Sequence, residues 1–161
     1  LTRLIGEEIN AVRRELIRMT ERGMIKTEPR GNRIYYYFRP DYLFYEELLR
    51  LTVKTTGLGG AIIKTRAKVV KLKLVMFSGK FVHRQERQQD EVDVLVVGTV
   101  VLPELAKLIR AEEAVRKTEI NYTAMLPEEF GFRKSRRDPF IMTIINQSRV
   151  VIIGNEQELS V

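Results

Sequence analysis

Apolar residues recur at Ile5, Ile9, Val12, Leu16 and Met19, in steps of four and three. That spacing predicts a helix over residues 7–22 whose stripe Ile9, Val12, Leu16 and Met19 turns inward. Gly23 stands where a left-handed cap ends helices. Residues 1–5 read as the end of an earlier helix, turned by Gly6. The chain opens on Leu1, already inside an amphipathic pattern, so its natural N-terminus is expected upstream. Two short apolar runs follow, at 24–27 and 33–38, the second rich in aromatic residues. Between them, Glu28-Pro29-Arg30-Gly31-Asn32 is a cluster of turn residues, so 24–38 reads as a hairpin with a basic tip. Pro40 stops it, and Asp41 is placed to cap a linker helix over 41–54.

Gly57-Leu58-Gly59-Gly60 is the one glycine cluster, and it marks the expected boundary between domains 1–56 and 57–161. Beyond it, 61–70 patterns as a basic helix, 73–77 as a strand and 78–90 as a long polar loop. The run 92–97 is apolar and β-branched, as in a strand buried on both faces. Pro103 opens a helix to about 117, with Leu105, Leu108 and Ile109 inward. Residues 119–125 alternate as a strand, Pro127 and Asp138-Pro139 each open a helix, and 150–153 is a final strand. The order β-β-α-β-α-α-β describes a small mixed sheet with helices, and the whole chain is of the α+β class.

Composition narrows the partners. The 161 residues carry 28 Lys and Arg against 21 Asp and Glu, a net charge of +7 that favours an anionic partner, nucleic acid before membrane surface. Much of the excess falls in 64–90, where Lys64, Arg66, Lys68, Lys71, Lys73, Lys80, Arg84 and Arg87 face only Glu86 and Asp90. That run is either a solvated face or a second nucleic-acid or phosphate footprint. A shorter run, Arg133, Lys134, Arg136 and Arg137, reads as a solvated face. There is no cysteine, which excludes disulfides, thiolate zinc sites and cysteine nucleophiles and suits a cytoplasmic, reducing compartment. The longest apolar stretch, 92–102, is broken by Asp93 and is too short to span a bilayer, so no membrane partner is expected. His83 has no His or Cys neighbour with which to hold a metal.

Two constellations carry candidate chemistry. On the 7–22 helix, Asn10, Arg13, Arg14, Ile17 and Arg18 lie opposite the inward stripe. Asn suits the adenine edge and Arg the guanine edge of duplex DNA. At the hairpin tip, Arg30, Asn32 and Arg33 suit phosphates, whose contacts position without reading sequence. Tyr35, Tyr36 and Tyr37 alternate, Tyr36 facing opposite to the others, and are expected to pack under the hairpin. Helix, glycine and basic-tipped hairpin, with Asn10-Ala11-Val12-Arg13-Arg14-Glu15-Leu16, Gly23-Met24-Ile25 and Arg30-Gly31-Asn32-Arg33-Ile34, resemble the winged helix-turn-helix domain of small prokaryotic transcriptional regulators. The resemblance covers about residues 1–40. It implies sequence-specific binding of double-stranded DNA, with a homodimer on symmetric half-sites formed through the 41–54 helix.

The second constellation is Phe77-Ser78-Gly79, the polar loop, and Glu91-Val92-Asp93-Val94-Leu95-Val96-Val97-Gly98. With Thr118-Glu119-Ile120-Asn121-Tyr122, Pro127-Glu128-Glu129-Phe130, Asp138-Pro139-Phe140 and Val150-Val151-Ile152-Ile153-Gly154, it resembles the minimal nucleotidyltransferase-like domain that some such regulators carry. The resemblance covers about residues 70–155. It implies that Ser78, Gly79 and Lys80 would approach a nucleotide and that Glu91 and Asp93 would hold magnesium. This sequence departs from the family pattern. Gly-Ser stands here as Ser78-Gly79, Glu91 replaces the first Asp, and Glu119 is the only third carboxylate offered. The expectation is therefore a domain that has lost the chemistry. In it, Glu91 and Asp93 pair with loop arginines, no catalytic residue or cofactor is required, and a nucleotide is bound at most without turnover. The combined expectation is a DNA-binding transcriptional regulator with an inactive nucleotidyltransferase-like domain as scaffold, sensor or dimerisation unit. The alternative is a magnesium-dependent enzyme that transfers a nucleotide to a protein or small molecule.

Overall fold

The computed structural model describes residues 5–69 and 71–160, without the side chains of 67–69. Of the earlier helix expected over 1–5, only Ile5 lies within the described residues. The chain is a mixed α and β protein in two compact units, the first ending at Leu49 and the second beginning at Arg50.

In the first unit, α1 (Ile9–Glu21) leads into a hairpin of β1 (Ile25–Arg30) and β2 (Arg33–Phe38). Gly23 at φ 69° ends α1, its N–H donating to Thr20 O while Met24 N–H reaches Met19 O. The strands are longer than the residue types suggested. Glu28, Pro29 and Arg30 belong to β1 and pair with Tyr35, Ile34 and Arg33, leaving only Gly31-Asn32 as the turn. A two-residue loop needs a positive φ at its first position, and Gly31 at 57° supplies it without steric cost. α1 packs on β1, with Val12, Leu16 and Met19 half-buried. Ile9, expected inward, is 68% exposed. The hairpin folds back from the C-terminal end of α1, and nothing among the described residues covers its first turn. Phe38 packs against Tyr42 and Tyr45, with ring centroids 6.1 and 5.7 Å apart.

The linker helix begins later than expected. Asp41 is drawn into an ion pair with Arg39, two turns occupy the intervening residues, and α2 runs from Tyr45 to Thr55. The unit boundary lies inside α2, not at the glycine cluster. Those glycines open α3 (Gly57–Val69), and Leu58, Gly59 and Gly60 are buried. A Cβ on Gly59 would stand 2.0 Å from Val53 O and 3.4 Å from the Phe77 ring. The cluster therefore serves close packing of α3 against the end of α2 and the sheet. It is not a linker.

The second unit continues with β3 (Leu72–Ser78), the single turn α4 (Gly79–Val82), β4 (Val94–Gly98), α5 (Leu102–Arg116), β5 (Tyr122–Met125), α6 (Pro127–Ser135), α7 (Pro139–Asn146) and β6 (Arg149–Ile153). A 3₁₀ turn, Glu156–Leu159, follows. The sheet order is β5-β4-β3-β6, with β4 and β5 parallel and the other pairs antiparallel. Successive side chains alternate between its faces. Leu74, Met76, Leu95 and Val97 meet Phe130 of α6 and Ile141, Ile144 and Ile145 of α7 on one face. On the other, Phe77 meets α3 at Gly59 and Phe81 at 5.1 Å, and α3 packs beside α5. The central strands are buried on both faces, which is why 92–97 carries no polar alternation. Asp138 caps α7 by accepting from Ile141 N–H at 3.2 Å. No helix among the described residues is long and apolar enough to cross a membrane.

Candidate functional sites

In the first unit, Asn10, Arg13, Arg14, Ile17 and Arg18 of α1 are all exposed. They differ in how they are held. The Asn10 amide donates to Glu8 Oε1 at 2.9 Å. Arg18 pairs with Glu15 at 2.6 Å, both side chains being open to solvent. Arg13 and Arg14 have no ion pair or side-chain hydrogen bond among the described residues. At the hairpin, the register puts Lys26, Glu28, Arg30, Arg33, Tyr35 and Tyr37 on one face. Arg30 does not extend from the tip as the sequence suggested. Its Nε and Nη2 donate to both oxygens of Glu28, at 2.9 and 3.1 Å. The guanidinium lies 5.3 Å from the Tyr35 ring centroid and 6.0 Å from that of Tyr37. These two tyrosines thus stack with arginine on the outer face instead of packing beneath the hairpin. Asn32 and Arg33 stay exposed at the turn.

In the second unit, the expected nucleotide and metal residues are brought together, but each is engaged by the protein itself. The Ser78 hydroxyl accepts from Phe81 N–H at 3.1 Å and caps α4. Gly79 N–H donates to Ser148 O at 2.6 Å, and a Cβ there would stand 2.0 Å from Ser148 Oγ. The glycine is required by its neighbour in the fold, with no ligand needed to explain it. Lys80 Nζ donates to both Glu91 oxygens, at 2.6 and 2.8 Å, and Gln88 N–H adds a third bond at 2.9 Å. These bonds, the lysine's first, hold the Glu91 carboxyl below its ordinary range.

Asp93 is 5% exposed. Burial pushes its carboxyl up, against the pull of the Asn121 N–H at 2.9 Å and of Arg87 at 2.8 Å. Both acids precede β4 and do not lie on it. Asp93 pairs with a loop arginine as expected, whereas Glu91 takes Lys80 and not an arginine. Glu119 completes no set with them, and no group of three His, Cys, Asp or Glu residues that could hold a metal occurs among the described residues. Each carboxylate faces a cation of the protein, and a pair of magnesium ions, which need free and well-placed oxygens, would have to displace both.

Sequence reasoning missed the residues that organise this end of the sheet. Asn121 joins the two acids, donating its N–H to Asp93 and its side-chain amide to Glu91 O at 2.8 Å. Arg116 donates to Glu112 at 2.7 Å and to Phe81 O at 2.9 Å while stacking 3.8 Å from the Phe81 centroid. Apart from Glu112, four residues before Arg116, these partners stand 28 to 35 residues apart, so no local pattern announces them. Beside them opens a cavity of about 470 Å³ lined by Arg84, Arg87, Asp93, Arg116 and Glu119, among others. Positive and negative side chains alternate in it, and Arg87 and Arg116 are already spent on Asp93 and Glu112.

Comparisons of the chain with family models, with curated proteins and with solved structures each return no match.

Proposed function

We propose that the chain is a DNA-binding transcriptional regulator of the cytoplasm. In this reading α1 enters the major groove and the hairpin lies along the backbone, as in a winged helix-turn-helix domain. The observation that carries it is the exposed, unpaired pair Arg13 and Arg14 on α1, next to a hairpin whose two-residue turn presents Asn32 and Arg33. Arg13 and Asn10 would meet base edges, while Arg14, Arg18, Asn32 and Arg33 would meet phosphates. Arg18 is lightly tied, because an exposed pair such as Arg18–Glu15 is worth little and exchanges readily for a phosphate. A homodimer would present two copies of α1 to symmetric half-sites, with α2, which buries none of its own residues, as the contact.

The second unit serves this reading as a nucleotidyltransferase-like scaffold without transfer activity. Support comes from the Lys80–Glu91 and Arg87–Asp93 pairs and from the Ser78 and Gly79 side of α4, which is filled by Ser148. The cavity beside Arg84 leaves room for a nucleotide ligand held without turnover.

The test has two arms. Duplex binding measured by fluorescence anisotropy should weaken with salt at a log–log slope of at least roughly −4 to −5, for about five or more phosphate contacts. Absence of duplex binding at about 50 mM salt rejects the regulator. In the second arm, the protein is incubated with each labelled nucleoside triphosphate, magnesium or manganese, and lysate as acceptor. No transfer is expected. Label transfer that disappears in Asp93→Ala would establish the enzyme in its place.

A further inference from the structure

The charge is unevenly shared between the units. Residues 1–49 hold nine Lys and Arg against eight Asp and Glu, whereas residues 50–90 hold ten against two and residues 91–161 nine against eleven. The surplus that favours a polyanion therefore lies in the second unit. The fold divides that surplus between two ends of the sheet. At the end where β3 finishes and β4 starts, Lys80 and Arg87 are consumed by Glu91 and Asp93. The opposite end is different. α3 carries Lys64 and Arg66 on its later turns, and Lys71 and Lys73 flank Leu72, the first residue of β3. Gly98, at the end of β4, lies against the same backbone: a Cβ there would stand 2.7 Å from Lys71 O and 3.3 Å from Lys73 N. Four residues later α5 begins, and Lys107 is in its second turn. Gly154, after β6, likewise approaches Lys73 O.

Five cations from α3, β3 and α5 thus gather at one end of the sheet, and all five are exposed. Lys64, Arg66, Lys71 and Lys107 have no ion pair among the described residues. Lys73 has a long one, 3.8 Å to Glu158. Glu158 is the partner of that long pair, and Glu104 lies in the first turn of α5.

We propose that this end of the second unit, formed by Lys64, Arg66, Lys71, Lys73 and Lys107, is a docking surface for the phosphate backbone of duplex DNA. It supplies most of the salt-dependent affinity of the whole chain. The inference rests on the DNA-binding reading above and adds a division of labour to it. Affinity from phosphates scales with the number of contacts that release counterions, and a reading unit with nine cations against eight acids has few to spare. Five lysines and arginines carried by three elements at one end of the sheet suit a non-specific backbone contact. None of them lies on an element that enters a groove in that reading, so they carry no sequence information.

The experiment compares two variants of equal charge in the full chain. One is Lys64→Gln/Lys71→Gln/Lys107→Gln. The other is Arg84→Gln/Arg136→Gln/Arg137→Gln, which removes the same charge and touches none of the five cations. Both are at exposed positions, and circular dichroism melting checks that both fold. Duplex Kd is measured from about 50 to 300 mM salt for a preferred and a scrambled sequence. The first variant should flatten the log–log slope by about 2 to 3 and weaken both duplexes at least tenfold near 0.1 M salt. The second should change the slope by less than about 1. An unchanged slope in the first variant, or equal losses in both, overturns the docking surface while leaving the DNA-binding reading standing. No duplex binding by the unmodified chain overturns both.

Discussion

The two units build different kinds of structure from one chain. In the first, Ile25 is the only buried side chain among the described residues, α1 buries none of its own, and Ile9, Ile17 and Ile34 are open to solvent. In the second, a four-stranded sheet is covered on both faces, and the unit as a whole holds every other buried apolar residue among the described ones. The larger unit can afford buried polar groups such as Asp93, provided that each finds its partners. The contrast assigns the large buried core to the second unit and mostly exposed side chains to the first.

The largest effect should come from the core of the second unit. Ile141, fully buried between α7 and the sheet, is expected on truncation to Ala to cost about 2–5 kcal/mol of that unit's stability. Hydrogen exchange of the hairpin amides should be unchanged. If hairpin protection falls by the same amount, the chain unfolds as one cooperative body and the contrast fails.

Next come the reading residues. Asn10→Ala and Arg13→Ala should each cost about 1–3 kcal/mol on the best duplex and relax sequence preference. Arg33→Ala should weaken all duplexes alike. Equal, sequence-independent losses at all three positions would show that α1 is not the reading element.

A subtler contrast lies within the second unit. Glu91 is held below its unfolded value of 4.5, so its contribution to stability is present above that pH and is lost as pH falls through the lower folded value. Glu91→Gln should therefore flatten the acid limb of a urea-denaturation profile. Asp93 is raised by burial, so it has the opposite sign. Its contribution is fully present below the unfolded value and is lost as pH rises through the folded one. The stability of Asp93→Asn relative to the natural chain should thus increase with pH above about 4. Profiles that shift in the same direction for both variants would contradict the two environments described.

The smallest effect is expected for Arg30→Ala. Its guanidinium is committed to Glu28, Tyr35 and Tyr37, and an exposed pair of this kind is worth at most about 1 kcal/mol. DNA affinity should fall less than for Arg33→Ala. A larger loss would mean that Arg30 leaves its own strand to reach phosphate.

The sequence by itself determined the element order of the second unit, because each signal there is local. Pro103, Pro127 and Asp138-Pro139 mark helix starts, and apolar runs of strand length mark β3, β4 and β6. It also determined the hairpin and the exposed face of α1. It misplaced features that depend on what lies opposite. The glycines at 57–60 looked like a linker, because only the fold brings Val53 O and Phe77 against Gly59. Arg30 looked free, because its fate depends on the register that sets it beside Tyr35 and Tyr37. Ile9 looked buried, because a helical stripe predicts a direction but not a neighbour. The same holds for chemistry. Ser78, Gly79, Lys80, Glu91 and Asp93 were recognisable as a candidate constellation. Their engagement by Phe81, Ser148, Arg87, Asn121 and one another was decided only when strands distant in sequence were paired. Propensity acts over a few residues, whereas hydrogen bonds and ion pairs are settled by whatever the tertiary structure brings within about 3 Å.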